Sequence, residues 1–184
     1  MVKRKCPPVV VALVLVLVTA AAAVAQAPAK PQPGPEHAKL AYFVGNWTSE
    51  GTVKDNPFYP GGKMTTKDRC EWFDGKFAVI CHNEGTGPMG AVKGIGILSY
   101  SPDAKAYTYY GTDNTGMMIM TTVPHGTVNG KTWTYEDESR MGDVTVKSRY
   151  VMNEQSPTAY TFKWEMQGEG GVWMTLMEGT SKKN

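Results

Sequence analysis

From residue 46 onward the chain alternates. Ten segments place an apolar side chain at roughly every second position: "NWTSEGTVK" (46–54), "KMTTKDRCEWF" (63–73), "FAVICHNE" (77–84), "VKGIGILSYS" (92–101), "AYTYYGTD" (106–113), "MMIMTTVPHGTV" (117–128), "TWTYEDESR" (132–140), "DVTVKSRYVMN" (143–153), "AYTFKWEMQG" (159–168) and "VWMTLMEGT" (172–180). Period two is the signature of a half-buried strand. The breaks carry turn chemistry, including Pro60-Gly61-Gly62, Asp74-Gly75, Pro102-Asp103, Asn129-Gly130 and Ser156-Pro157. No break is long enough for a crossover helix, so consecutive strands have to pair antiparallel. About ten strands in simple succession predict an all-β fold, a sandwich or an up-and-down barrel. A barrel removes both sheet edges, and closure is the expected outcome.

Alternation also sorts the faces. Tyr160, Phe162, Trp164 and Met166 share one side of their strand, while Thr161, Lys163 and Glu165 share the other. Trp133 and Tyr135 oppose Thr132 and Thr134; Val146, Ser148, Tyr150 and Met152 oppose Thr145, Lys147 and Arg149. One face is therefore aromatic and aliphatic, and the other hydrophilic. The apolar face makes either a solid core or a core with a ligand cavity.

Ahead of the strands, Lys3, Arg4 and Lys5 precede an apolar run from Val9 to Ala25 that ends in Ala23-Val24-Ala25. This is the layout of a secretory signal peptide cleaved after Ala25; the competing reading is an uncleaved anchor. Cys6 lies before the apolar run, not at its end, so it is not a lipoprotein cysteine. The expected organisation is a signal peptide over 1–25, a Pro-rich tether over 26–36 and a barrel domain over 37–184, with a short helix from Glu36 to Val44. The expected destination is the periplasm or the exterior. Removing residues 1–25 takes away three of the 19 Lys and Arg, leaving 16 against 17 Asp and Glu. With no basic block left, nucleic acid is not an expected partner, and no further segment is long enough to span a membrane. Nothing in the pattern sets an oligomeric state.

Two stretches carry a family resemblance. Gly45-Asn46-Trp47, at the start of the first strand, resembles the G-x-W of lipocalins and the wider calycin barrels, where the Trp closes one end. "GNWTSEG" (45–51) also resembles nitrobindin-type barrels, although Ser49 stands where that pattern has a Gly. The longer strings "CEWFDGKFAVICHNEGTGPMG", "VKGIGILSYSPDAKAYTYYG" and "YTFKWEMQGEGG" closely resemble the DUF1579 family, from about Pro31 to the C-terminus. That resemblance implies a calycin-like barrel and carries no established activity. It assigns Gly45 and Trp47 to the barrel end.

The chemistry-bearing residues are few. Cys70 and Cys81 flank the turn at Asp74-Gly75. A two-residue turn at Asp74-Gly75 makes them diagonal neighbours. A Gly75-Lys76 turn, or a four-residue loop from Asp74 to Phe77, sets them directly opposite, where an oxidising compartment would bridge them. His37, His82 and His125 are scattered. His82 and Cys81 point to opposite faces, and no His follows His125 where nitrobindin-type barrels hold haem, so no metal and no cofactor is expected. The methionines at 117, 118 and 120 read as apolar filler. Gly94 and Gly96 sit inside a β pattern with no following helix, which excludes a dinucleotide loop. No constellation supports turnover.

The expected function is therefore a non-enzymatic barrel that binds a small apolar molecule. Tyr107, Tyr109, Met118, Met120, Trp133, Tyr135, Phe162 and Trp164 are the candidate lining. One alternative is an interaction module with a filled barrel. The other is an enzyme, which would need titratable groups converging on the inner face.

Overall fold

The computed structural model describes residues 29–56, 60–115, 125–141 and 144–184. Residues 32–184 form one compact unit. Its strands are β1 (Gly45–Val53), β2 (Gly62–Trp72), β3 (Ala78–Gly87), β4 (Gly90–Ser101), β5 (Ala106–Asp113), β6 (His125–Asn129), β7 (Thr132–Met141), β8 (Val144–Ser156), β9 (Ala159–Gln167) and β10 (Trp173–Lys183). Each pairs antiparallel with the next, and β1 pairs with β10 from Trp47↔Lys183 to Val53↔Met177, closing the barrel.

Several boundaries move outward from the sequence reading, among them the end of β8, which runs to Ser156. Gly87 pairs with Gly90, so β3 and β4 run on to a two-residue turn at Pro88-Met89. At the other end β10 continues to Lys183, because its last residues complete the seam with Thr48 and Trp47. The first half of the expected sixth strand, with Met117, Met118 and Met120, lies outside the described residues.

The turn after β2 settles the cysteine register. Phe73 and Ala78 close a four-residue loop, in which the Lys76 N–H donates to Phe73 O at 2.9 Å. Gly75 and Lys76 take φ of 84° and 58°, the left-handed conformation that reverses the chain here. Cys70 then falls directly opposite Cys81, with Cα atoms 4.0 Å apart, and the two are joined by a disulfide. That distance lies well inside the roughly 7 Å limit for a bridge.

One end of the barrel is sealed. Gly34 caps the short helix α1 (Pro35–Lys39), with Pro35 in its first turn; a 3-10 turn over Leu40–Phe43 follows. Leu40 and Phe43 drop into the barrel and are buried with Trp47, whose Nε1–H donates to Phe43 O at 2.7 Å. The Lys183 ammonium sits 4.7 Å over the Trp47 ring and donates to Tyr42 O at 3.1 Å. The Tyr107 hydroxyl reaches across to Glu36 Oε2 at 2.6 Å and holds α1 in place. Trp47, which the G-x-W resemblance assigns to the barrel end, is buried here between the 3-10 turn and the Lys183 side chain.

Replacing both cysteines, C70S/C81S, removes a cross-link between residues 11 apart. It is expected to lower stability by about 2–3 kcal/mol in urea unfolding. The variant should then be insensitive to added reductant, while the parent loses the same stability on reduction.

Candidate functional site

Inward positions of neighbouring strands line up in rows. One row runs Trp47, Asp68, Asn83, Gly94, Asp113 through β1 to β5. The row beyond it, away from the lid, runs Tyr160, Ser181, Ser49, Thr66, Gly85 through β9, β10, β1, β2 and β3. The apolar face of β7, β8 and β9 also turns inward, as shown by buried Trp133, Tyr135, Met152 and Phe162. The inner wall is thus aromatic on one side and polar on the other, with Asp68 at its centre.

Asp68 follows from strand parity. It shares the inward face of β2 with Cys70 and Trp72, while Lys67 and Arg69 on either side project outward and are exposed. Ser49 Oγ donates to Ser181 Oγ at 3.0 Å beneath it, with both serines buried. Burial pushes the Asp68 carboxyl up from 3.8 to about 6, and the hydroxyls of Thr66 and Ser49 pull it back only in part. Its negative charge adds to the rise at Tyr109, Tyr150 and Tyr160, inward residues of three other strands. All are raised by burial, Tyr160 to about 12 and the other two further.

Two polar atoms on this wall have no hydrogen-bond partner, the Tyr135 hydroxyl and Asn83 Oδ1. Buried polar groups are nearly always paired, so an orphan marks a place where something else completes the bond. The Tyr135 ring lies 6.1 Å from that of Tyr109. Tyr109 in turn lies across two glycines: a Cβ on Gly96 or Gly111 would come within 3.0 or 3.1 Å of its hydroxyl. Gly96 of β4 and its cross-strand partner Gly111 of β5 therefore make room for a phenol, which is their packing role.

Filling is uneven along the axis. Leu40, Trp47, Val79 and Trp133 near the lid are all but inaccessible. Inward residues further along (Tyr109, Tyr150, Met64, Trp164) keep accessible surface, even though Tyr109 and Tyr150 are so enclosed that burial dominates their titration. Two open grooves, about 450 and 550 Å³, are lined by residues of both faces: the first around Gly51, Met64 and Gly179 with Lys63 and Glu178, the second around Trp47, Asp68 and Asn83 with Lys67, Arg69, His82 and Asn184.

The candidate lining divides accordingly. Tyr107, Tyr109, Trp133, Tyr135 and Phe162 all face inward, and Trp164 shares the face of Phe162. Tyr107 is committed to Glu36, and Trp133 Nε1–H donates to Glu154 Oε1 at 2.7 Å, so both serve the lid end. Met118 and Met120 lie outside the described residues. Of the histidines, His37 is buried in the lid with Nδ1 accepting from Gly34 N, while His82 and His125 are exposed. Among the described residues no three His, Cys, Asp or Glu are grouped as for a metal. Parity put Tyr150 and Tyr160 on the apolar face without naming them as lining, and it passed over Asp68, Ser49 and Asn83. An acidic residue on the same parity as Cys70 and Trp72 was the available signal.

The model of DUF1579, a family described as proteins of unknown function, matches residues 32–183. The chain belongs to the DUF1579 family. No curated protein matches it in sequence. Among solved structures it is similar to Rv2717c from M. tuberculosis, with a TM-score of 0.55 at 10% identity over 82% of this chain and 98% of that one. It is similar too to the S-type phycobiliprotein lyase CPES from Guillardia theta, with a TM-score of 0.55 at 11% identity over 81% and 92%. At such identity the likeness carries the barrel architecture alone. The family member therefore has to be read from its own inner wall.

The Asp68 shift has a stability consequence with a definite sign. The folded state holds this proton more tightly than the unfolded chain does. The group's contribution is therefore most favourable below about pH 4. It is lost as pH rises towards 6, leaving a penalty of about 3 kcal/mol at neutral pH. Asp68→Asn is expected to be more stable than the parent by up to that amount at about pH 7, with the difference vanishing near pH 4. Urea unfolding across that range reads it; equal stability at neutral pH would mean that the ionised carboxylate is fully compensated.

Proposed function

We propose that this protein is an exported barrel that binds a small, largely apolar molecule inside, between the lid and the far end. The observation that carries the reading is the contrast along the inner wall: Leu40, Trp47, Val79 and Trp133 at the lid are all but inaccessible, while the inward aromatic residues Tyr109, Tyr150 and Trp164 keep accessible surface. Aromatic rings supply the apolar contact area, and the unpartnered Tyr135 hydroxyl supplies a polar group to orient the guest. Export is supported by the basic-apolar-small layout of residues 3–25 and by the Cys70–Cys81 bond, which belongs in an oxidising compartment.

A second reading has its own support. A carboxyl poised near pH 6 among phenols suits general acid–base work, and it meets the condition of titratable groups converging on the inner face. In that case the guest is transformed rather than carried.

Native mass spectrometry of protein purified from its own host tests both. The expected result is a co-purifying small molecule released on denaturation; a guest that changes mass on incubation favours the enzyme. Protein that is consistently empty, and whose interior excludes added apolar probes, would leave the filled interaction module standing instead. N-terminal sequencing of the extracytoplasmic fraction is expected to begin at Gln26.

A further inference from the structure

We propose that this protein forms a two-fold dimer through the outer wall of β2 to β5, with a second copy of the same chain as the partner. The inference is independent of what the interior holds.

Strand β4 is turned inside out in its polarity. Gly94 and Gly96 face inward, and the bulk of the strand, Ile95 and Ile97, stands on the outside. Register gathers these side chains into two outer rows. One runs Glu71, Ile80, Ile97, Tyr110 across β2 to β5; the other runs Arg69, His82, Ile95, Thr112. Tyr110 is 51% exposed, and Phe73, just beyond the first row, 57%. Strand propensity alone does not call for isoleucine here, because threonine meets it on a solvated face. The outer positions of β1 and β2 carry only Asn, Thr, Glu, Lys and Arg. An apolar stripe on such a wall marks a surface for another protein.

A second copy fits because each row is the complement of the other. Between them lies the row Cys70, Cys81, Gly96, Gly111, which presents no side chain outward. A two-fold axis along it lays the first row of one copy on the second row of the other. Glu71 then meets the partner's Arg69, and Ile97 meets the partner's Ile95. Each contact occurs twice, as an isologous interface requires. One row further out, Phe73 comes over the partner's Lys67, and no like charges meet. Within one chain Arg69 and Glu71 lie 3.8 Å apart with both side chains more than half exposed, a pair that contributes little and can exchange across the axis. The shape agrees as well. Two convex walls touch along a crest and diverge to either side; isoleucines stand on the crest strands β3 and β4, and the longer Glu, Arg and Tyr on the flanks. The Cys70–Cys81 bond, on the axis row, holds β2 to β3 and so fixes both rows. A lipid surface would have to take up Glu71 and Arg69 with the isoleucines, whereas a second copy pairs them.

Four strands about 4.8 Å apart and four rows about 6.8 Å apart cover roughly 500 Å² per copy. That is at the small end of specific interfaces, so the dimer is reversible and not obligate.

Sedimentation velocity on the purified protein, from low micromolar to about 0.5 mM, reads this directly. A reversible shift from monomer to dimer is expected. Ile97→Lys should stay monomeric throughout while keeping the parent's circular dichroism spectrum. Glu71→Arg and Arg69→Glu each set like charges opposite one another and should weaken the dimer at least about tenfold. The double exchange R69E/E71R restores the pairing and should return to within about threefold of the parent. These charge variants lie at exposed positions and keep the test decisive if Ile97→Lys does not fold. A parent that is monomeric across the range overturns the proposal, as does a dimer indifferent to Ile97→Lys. A double exchange no tighter than the single variants overturns the two-fold pairing of the rows.

Discussion

Everything in this molecule depends on the first strand finding the last. The β1–β10 ladder from Trp47↔Lys183 to Val53↔Met177 turns a ten-strand meander with two exposed edges into a closed wall. Only then does the chain have an inside. Pairing of such distant segments carries a large loop-closure cost, offset by what closure lets the chain bury. The lid is placed at this seam. Trp47 opens β1 and lies under the Lys183 ammonium, while Tyr42, from the turn before β1, hydrogen-bonds to Ser156 O and Ala159 O at the β8–β9 turn. Sealing the end and closing the ring are thus one set of contacts.

Within the closed wall, stability and chemistry fall to different residues. Near the lid, Leu40, Phe43, Trp47, Val79 and Trp133 pack to near exclusion of solvent, and rings meet at centroid distances of about 5 Å, as in Phe43–Trp133 and Tyr107–Trp133. That half supplies the apolar burial that holds the barrel together. Other inward positions carry costs, beginning with Asp68 directly beside Trp47: a carboxyl raised by burial, two orphaned polar atoms and incompletely covered tyrosines. A sequence selected for stability alone would place an apolar residue where Asp68 stands. Local departures of this kind are where function is expected.

Much of the architecture was legible from residue order because it is encoded locally. Period-two alternation and turn dipeptides located the strands, the sixth being described only from His125 onward, and Gly45-Asn46-Trp47 drew attention to the start of β1. The cysteine pairing was legible only as a choice among turns; the four-residue loop closing Phe73 on Ala78 decided it. The inner polar cluster was not found, for a physical reason. Asp68, Tyr109, Tyr150 and Tyr160 lie on four strands and share one interior only through closure of the barrel, which no single segment encodes. Alternation also ranks positions by hydrophobicity, so it drew attention to Trp133 and Tyr107, which hold the lid, and passed over an aspartate on an otherwise apolar face.

The glycines beneath Tyr109 carry a consequence for how such a barrel diversifies. The phenol occupies volume that Gly96 and Gly111 leave empty on their own strands. A single methyl at either position would push the ring toward the axis without altering any group that touches a guest. The shape of the interior is therefore adjustable from the wall behind it, at sites with no chemistry of their own. Relatives with the same carboxyl and the same tyrosines could hold guests of quite different girth, distinguished by residues that a comparison of lining side chains would never inspect.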